Sequence, residues 1–439
     1  MKPSYLLAGA ALLPLTLAAC GDGGSSATPD AGPAPIMTYW QNVKPILDVK
    51  CVGCHVEGGI APFALDSYAA ARENHAHARD AVRSRIMPPW LAGDGCTEYF
   101  DDASLTDEQI ETIAMWSEAG APEGDPAHPG PAIDTGPSSG LSRVDLSLSM
   151  AAAHTPRTEP DEYRCFVINW PATSKKFVTG FKAHPGVPQI VHHVIAFYAA
   201  PEDVAEVNAL ENLDPEPGYT CFGGPGLNSS KWLGAWAPGT PGYDFPPGTG
   251  LAVEPGSKVI LQVHYHSDGT TAFEPDQTSI DLKLADSVDK EATLQPFTNP
   301  SWLGGSMNIP AGDPDVMYAF QYDLTQFVSG GRPIDVYSVG YHQHVRGTHG
   351  RVELRHAGGA SDCLLDVPRW DFHWQRGYGF VQPKRMNPGD QLYLECHWDN
   401  TAANQPYVNG QQVAPQDLNW GEGTNDEMCL TAVYVTTAD

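Results

Sequence analysis

The sequence predicts a multidomain protein in which a small all-α segment precedes a long all-β body of paired sandwiches. Three observations carry that reading. Apolar residues recur at helical spacing mainly within residues 38–125. Beyond Ser142, short β-like runs alternate with turns. The 439-residue chain also holds 44 Gly and 39 Pro, the punctuation of a loop-rich β protein. That length suits about three domains. A net charge of −28 argues against nucleic acid as a partner, because phosphate recognition needs a basic surface.

Residues 1–20, MKPSYLLAGAALLPLTLAAC, carry Lys2, an apolar run and small residues before a cysteine. This reads as a secretory signal, too short to count as a spanning helix. The ending Leu17-Ala18-Ala19-Cys20 resembles a bacterial lipobox, which would make Cys20 the lipidated first residue of the mature chain. Gly21, where Asp would favour the inner membrane, points to lipid anchoring at the outer membrane of the cell envelope, on its periplasmic face or at the cell surface. The alternative is an ordinary cleaved signal with a chance cysteine. Residues 21–37 are a Gly/Ser/Pro tether without a packable face.

Within 38–125, YWQNVKPILDVK predicts a helix that places Trp40, Val43, Ile46 and Leu47 on one face. LTDEQIETIAMWSEAGAP predicts a second, capped by Thr106 and ended by Gly120. Between them lies Cys51-Val-Gly-Cys54-His55, the spacing of covalent c-type haem attachment, with His55 placed to ligate the iron. A zinc or redox-dithiol site would need a second ligand pair or a βαβ context, and neither is present. Met87, held by Pro88 and Pro89, is the expected distal ligand; His75 and His77 compete from a polar helical run that reads as a solvated face. The segment resembles the small haem domains of the cytochrome c superfamily.

A Pro/Gly-rich linker, 126–142, leads into the β body: RCFVINW, KKFVTGF, IVHHVIAFY, KVILQVHYH, IDVYSVGYHQH, RVELRH, QLYLECHWD and LTAVYV. With Cys20, Cys51 and Cys54 assigned, six cysteines remain: an even number suited to an oxidising compartment, with fifteen connectivities open. Two ligand sets stand out. His192 and His193 are adjacent on a strand, so one metal can hold both only at a strand end or a bulge; His264 completes an all-imidazole set. His342 and His344, at i and i+2 on one strand face, join the thioether of Met428, a donor suited to Cu(I). Glu427 adjoins Met428 but on a strand points the other way.

The order of DEYRCF, FVTGF…VHHVIAFY, LGAWAPGT…PPGTG, KVILQVHY, YHQHVRG and EGTNDEMC is similar to that of the copper type II, ascorbate-dependent monooxygenases, over roughly residues 143–439. The resemblance implies two jelly-roll-like, eight-stranded sandwiches, 143–288 and 289–439, meeting near Ser287–Thr293. It implies an electron-transfer copper on His192, His193 and His264, and an oxygen-activating copper on His342, His344 and Met428. The implied reaction joins a small organic R–H, dioxygen and two electrons from an external donor to give R–OH and water. Disulfides Cys165–Cys221 and Cys396–Cys429 follow from the same resemblance. They leave Cys96 and Cys363, which could tie the haem segment to the body.

Departures are specific. Gly340 stands where the peptide-amidating members have a substrate-gripping Arg, and Leu430 and Ala432 replace their Asn and Tyr, so a peptidylglycine substrate is not expected. PRWDFHWQRGY, with Asp371, His373 and Trp374, reads as a structural polar-aromatic strand or loop. His266, His349, His356 and His397 read as surface or core residues. The chain is expected to pass electrons from its haem to the coppers. The alternatives are a non-enzymatic electron-transfer or copper-binding envelope protein, and a zinc hydrolase using the three-histidine set.

Overall fold

Sixteen strands of four or more residues, among the described residues, divide eight and eight about the expected junction. The computed structural model describes residues 36–57, 61–133, 140–157, 161–227, 229–238, 240, 242–267, 272–408 and 411–438. The signal, Cys20 and all but the last two residues of the tether lie outside that set. Among the described residues no helix is long and apolar enough to cross a membrane.

The N-terminal segment is helical. Lys44–Lys50 forms α1, Tyr68–Glu73 α2, His75–Arg83 α3 and Asp107–Glu118 α4. The single helix expected from Tyr39 is divided, because Pro45 has no N–H to return to Gln41. The preceding turn widens into a π-turn, Tyr39–Val43, with the Lys44 N–H on the Tyr39 carbonyl. The α4 start is as expected: the Thr106 side chain accepts from Gln109 N and Gln109 returns to Thr106 N, a reciprocal cap worth about 1 kcal/mol. Val43, Ile46, Leu47, Ile113 and Trp116 close a small core.

In the body, Leu146–Ser149 (β1), Asp161–Asn169 (β2), Lys176–His184 (β3), Val191–Ala199 (β4), Lys231–Trp236 (β5), Thr249–Val253 (β6), Lys258–His266 (β7) and Ser279–Ala285 (β8) make the first sandwich. Its sheets run β1-β8-β3-β6 and β2-β7-β4-β5. The run KVILQVHYH is apolar on both faces for a reason. One face joins the inter-sheet core, while Ile260 on the other lies under an unpredicted helix, α5 (Val204–Leu213), beside the Cys165–Cys221 disulfide.

Lys290–Phe297 (β9), Val316–Tyr322 (β10), Ile334–His342 (β11), Gly347–Arg355 (β12), Ser361–Val367 (β13), Gly377–Met386 (β14), Gln391–Trp398 (β15) and Leu430–Thr437 (β16) make the second sandwich, with sheets β9-β16-β11-β14 and β10-β15-β12-β13. Strand β9 belongs to both halves: it pairs with β16 over residues 292–297, meets β5 at Leu294–Trp232, and runs parallel to β6 at Lys290 and Glu291.

The segment 38–125 is not independent of the body, contrary to its expected boundary. Residues 90–100 leave the helices and lie along β13 and β14, with Gly93 N on Asp366 O (2.8 Å), Phe100 N on Gly379 O (2.7 Å) and Tyr99 OH on Leu364 O (2.9 Å). Leu91, Ala92 and Tyr99 enter the core of the second sandwich, and Cys96–Cys363 fixes the strap covalently. Replacing both cysteines by serine should lower the unfolding free energy by about 2–5 kcal/mol, read by urea denaturation. Unchanged stability would mean that packing alone holds the strap.

Candidate metal centres

Strands β4 and β7 pair with Val191 opposite Tyr265 and His193 opposite His264, so the register slips by one at His192. That bulge turns His192 toward the same side as its neighbour. His193 Nδ1 lies 3.4 Å from the Nδ1 of both His192 and His264. Such separations suit imidazoles sharing one ion with bonds of about 2.0–2.1 Å. The tautomers agree: His264 donates from Nε2 to Asp161 Oδ1 (2.9 Å), leaving its Nδ1 lone pair facing the other rings. The His192 Nε2 is buried and has no partner, so its other nitrogen is the one directed inward. Burial pushes His192 and His193 well below the usual histidine range; it also lowers His264, against the pull of Asp161. All three are therefore neutral at pH 7, the form that binds metal.

Asp161 does more than orient one ring. Its Oδ1 also accepts from His266 Nδ1 (2.8 Å) and Thr424 Oγ1 (2.6 Å), and its Oδ2 from Thr424 N (3.0 Å). His266 thus supports the site indirectly. Thr424 belongs to the loop leading to Met428, so this carboxylate joins the surroundings of both ligand sets. Burial alone would raise Asp161; the hydrogen bonds from His264 and His266 outweigh it and hold the carboxyl far below its usual range.

The second set is assembled by a turn. Strand β11 ends at His342, and His344 lies beyond it, not on the same strand face; the rings are 5.0 Å apart. Gln375 donates from Nε2 to Phe372 O, which turns its Oε1 to accept from His342 Nδ1 (2.6 Å). His344 donates from Nδ1 to Asp426 O (3.2 Å). Both Nε2 atoms are left for an ion. Met428 is buried. It is held between Glu427, which accepts from the backbone of His344 and Arg346 and from Trp398 Nε1, and Cys429, bonded to Cys396. Leu430, two residues on, is the register partner of His342. Glu427 faces the sandwich interior, where burial pushes it up to about 7. Gly340, Leu430 and Ala432 offer no charged group beside His342.

The strip 370–376 is not merely structural, as PRWDFHWQRGY had suggested. Phe372 stacks on His192 at 4.4 Å and meets the edge of His344 at 6.0 Å, touching one ligand from each set. Trp370 Nε1 donates to His344 O (3.0 Å). Asp371 and His373, the residues singled out in sequence, pair with each other. Phe372 and Gln375 were missed, and the aromatic density between β13 and β14 was the available signal.

In the helical segment Cys51 and Cys54 are half-buried and take no part in the disulfides. Burial and the Cys54 charge push Cys51 up to about 12, the reverse of a reactive redox dithiol. His55 donates from Nδ1 to Phe63 O (2.9 Å), leaving Nε2 for a metal. The donor set therefore fits covalent haem. Met87 is half-buried just after α3. His75 is not a solvated residue: it bonds Ser117 Oγ (2.8 Å) and meets the edge of Trp116. His349 and His397 stack at 3.9 Å beside Asp315, away from these sets, and His356 lies between Asp362 and Asp390.

Residues 146–271 match the family model described as copper type II ascorbate-dependent monooxygenase, N-terminal domain. DBH-like monooxygenase protein 1 of Gallus gallus is 24% identical over 262 residues, 55% of this chain and 38% of that protein. The Homo sapiens protein of the same name is 24% identical over 266 residues, 56% and 39% respectively. The chain thus spans well under half the length of these curated relatives. Among solved structures, a peptide-N(4)-(N-acetyl-β-D-glucosaminyl) asparagine amidase is similar at 8% identity and a TM-score of 0.23, covering 67% of this chain and 96% of that one. The matched region contains all three converging histidines, and it is similar over that stretch to the N-terminal domain of the copper type II, ascorbate-dependent monooxygenases.

Proposed function

We propose that the protein is a copper-dependent monooxygenase that hydroxylates a C–H bond of a small organic substrate with dioxygen, its electrons arriving through a c-type haem on residues 51–55. The convergence of His192, His193 and His264, with the Nδ1 of His193 3.4 Å from that of each of the other two, is the observation that carries the reading. When bound, two copper ions and a haem would supply one-electron storage and the activation of dioxygen. The chain supplies the rest. Asp161, Gln375 and the Asp426 carbonyl fix ring tautomers, so that the ligand nitrogens are directed before an ion arrives. Phe372 places an apolar ring against one histidine of each set. Gly340, Leu430 and Ala432 favour a substrate lacking a carboxylate to be gripped there.

The same reading places the protein at the cell envelope, anchored through Cys20; three disulfides favour an oxidising compartment. The test uses the copper-loaded full chain with reductant, oxygen and a host-cell metabolite extract. Untargeted mass spectrometry should find a product gaining one oxygen, absent with Met428→Ala. A haem reduced beforehand and freed of excess reductant should reoxidise only when copper is present. No reductant-dependent oxygen uptake would sink the enzyme reading; copper-independent reoxidation would sink the haem route.

A further inference from the structure

Arg376 follows Gln375, the residue that holds His342, and precedes β14. Its guanidinium carbon lies 4.7 Å from the centroid of Trp90 and 5.9 Å from that of Tyr378. Trp90 is three residues beyond Met87, on the strap that joins the helical segment to the second sandwich. The Arg376 Nε is enclosed and meets no acceptor, and no carboxylate among the described residues forms an ion pair with this side chain. Asp101 and Asp102 contribute charge from beyond that range. The Arg376 guanidinium lies near enough to Cys54 for the two side chains to act on each other electrostatically. A cation in this setting is costly unless an anion joins it.

We propose that Arg376 binds a propionate carboxylate of the haem attached at Cys51 and Cys54, and so seats the porphyrin edge on the 370–376 strip beside His342. This rests on the haem reading of residues 51–55 and adds to it a binding residue from the other domain. The guanidinium fork matches a carboxylate, and the flat faces of Trp90 and Tyr378 hold it in place. Arg376 and Gln375 are neighbours in sequence, so the carboxylate site lies one residue from the side chain that hydrogen-bonds His342. Access to the copper ligands then follows from docking. Diffusion of the haem on the 126–142 linker is not required.

The experiment compares the full-length, haem-matured chain with Arg376→Gln and Arg376→Lys. Covalent haem is read by intact mass and pyridine haemochrome absorbance, and the midpoint by spectroelectrochemical titration. A cation beside the porphyrin disfavours the more positive ferric state. Removing it in Arg376→Gln should shift the one-electron equilibrium about tenfold toward ferric, a fall of about 59 mV. The freed propionate should also give the midpoint a pH dependence near neutrality. Arg376→Lys keeps the charge but loses the fork, so it should shift the same equilibrium by a smaller, still measurable amount. If Arg376→Gln does not accumulate, Arg376→Lys carries the test through its lost fork, expected as an about threefold shift. Attached haem with an unchanged midpoint overturns the Arg376 assignment alone; a wild-type chain carrying no haem overturns both readings.

Discussion

Met428→Ile should reduce product formation by about 10³-fold or more, while the protein keeps its fold and still takes one copper per chain. Isoleucine nearly conserves volume at this buried position, so packing should lose less than about 1.5 kcal/mol. On the proposed reading, what goes is the soft donor that would complete the His342–His344 set, and several kcal/mol of metal-assisted activation with it. The three-histidine set is fixed by the β4 bulge and Asp161, neither of which touches residue 428 by any contact described, so its occupancy should persist. Copper per chain after dialysis, with oxygen-dependent turnover, checks both parts. Normal turnover in this variant would remove Met428 from the site.

Asp161→Asn should weaken copper binding at the three-histidine set by about 10–100-fold. The carboxylate accepts four hydrogen bonds, from His264, His266 and twice from Thr424. An asparagine amide can accept on one atom only, and its NH2 must then face a donor. One buried donor left unsatisfied costs about 1–3 kcal/mol, so the melting temperature should fall as well. The pH dependence has a definite sign. The folded pKa is depressed, so this stabilisation is complete above the ordinary aspartate value of about 3.9 and is lost as pH falls below it. Acid denaturation of the wild type should therefore steepen below that value, and the Asn variant should lack that component. Unaltered copper affinity in Asp161→Asn would show that His264 needs no such support.

What was legible in the sequence was whatever depended on neighbours along the chain. KVILQVHYH and IVHHVIAFY are apolar enough to be strands under any packing, and adjacent histidines required a strand end or a bulge, of which the structure has the bulge. The Thr106 cap and the Gly120 stop were local signals too. Strand β6 and helix α5 were missed because Gly-rich or weakly apolar runs become regular only when packed. The strip at 370–376 was misread for a different reason. Its partners are His192, His342, His344 and Trp90, between about thirty and nearly three hundred residues away, and no local pattern announces them. The extent of the helical segment failed likewise: Leu91 and Tyr99 look like its own apolar residues, yet they complete a core that closes only after residue 300.

Strand β9 has a consequence for anyone dissecting the molecule. It edges the second sandwich through β16 while touching the first through β5 and β6, and Tyr434 of β16 lies in the core of the first sandwich, its hydroxyl on Thr249 Oγ1. A gene split at residues 288/289 would strip one fragment of part of its packing and leave the other with an uncovered sheet edge, an invitation to aggregate. The halves are therefore poor candidates for separate expression, domain shuffling or grafting. They should instead be exchanged between homologues as a single cassette, with the 90–100 strap included.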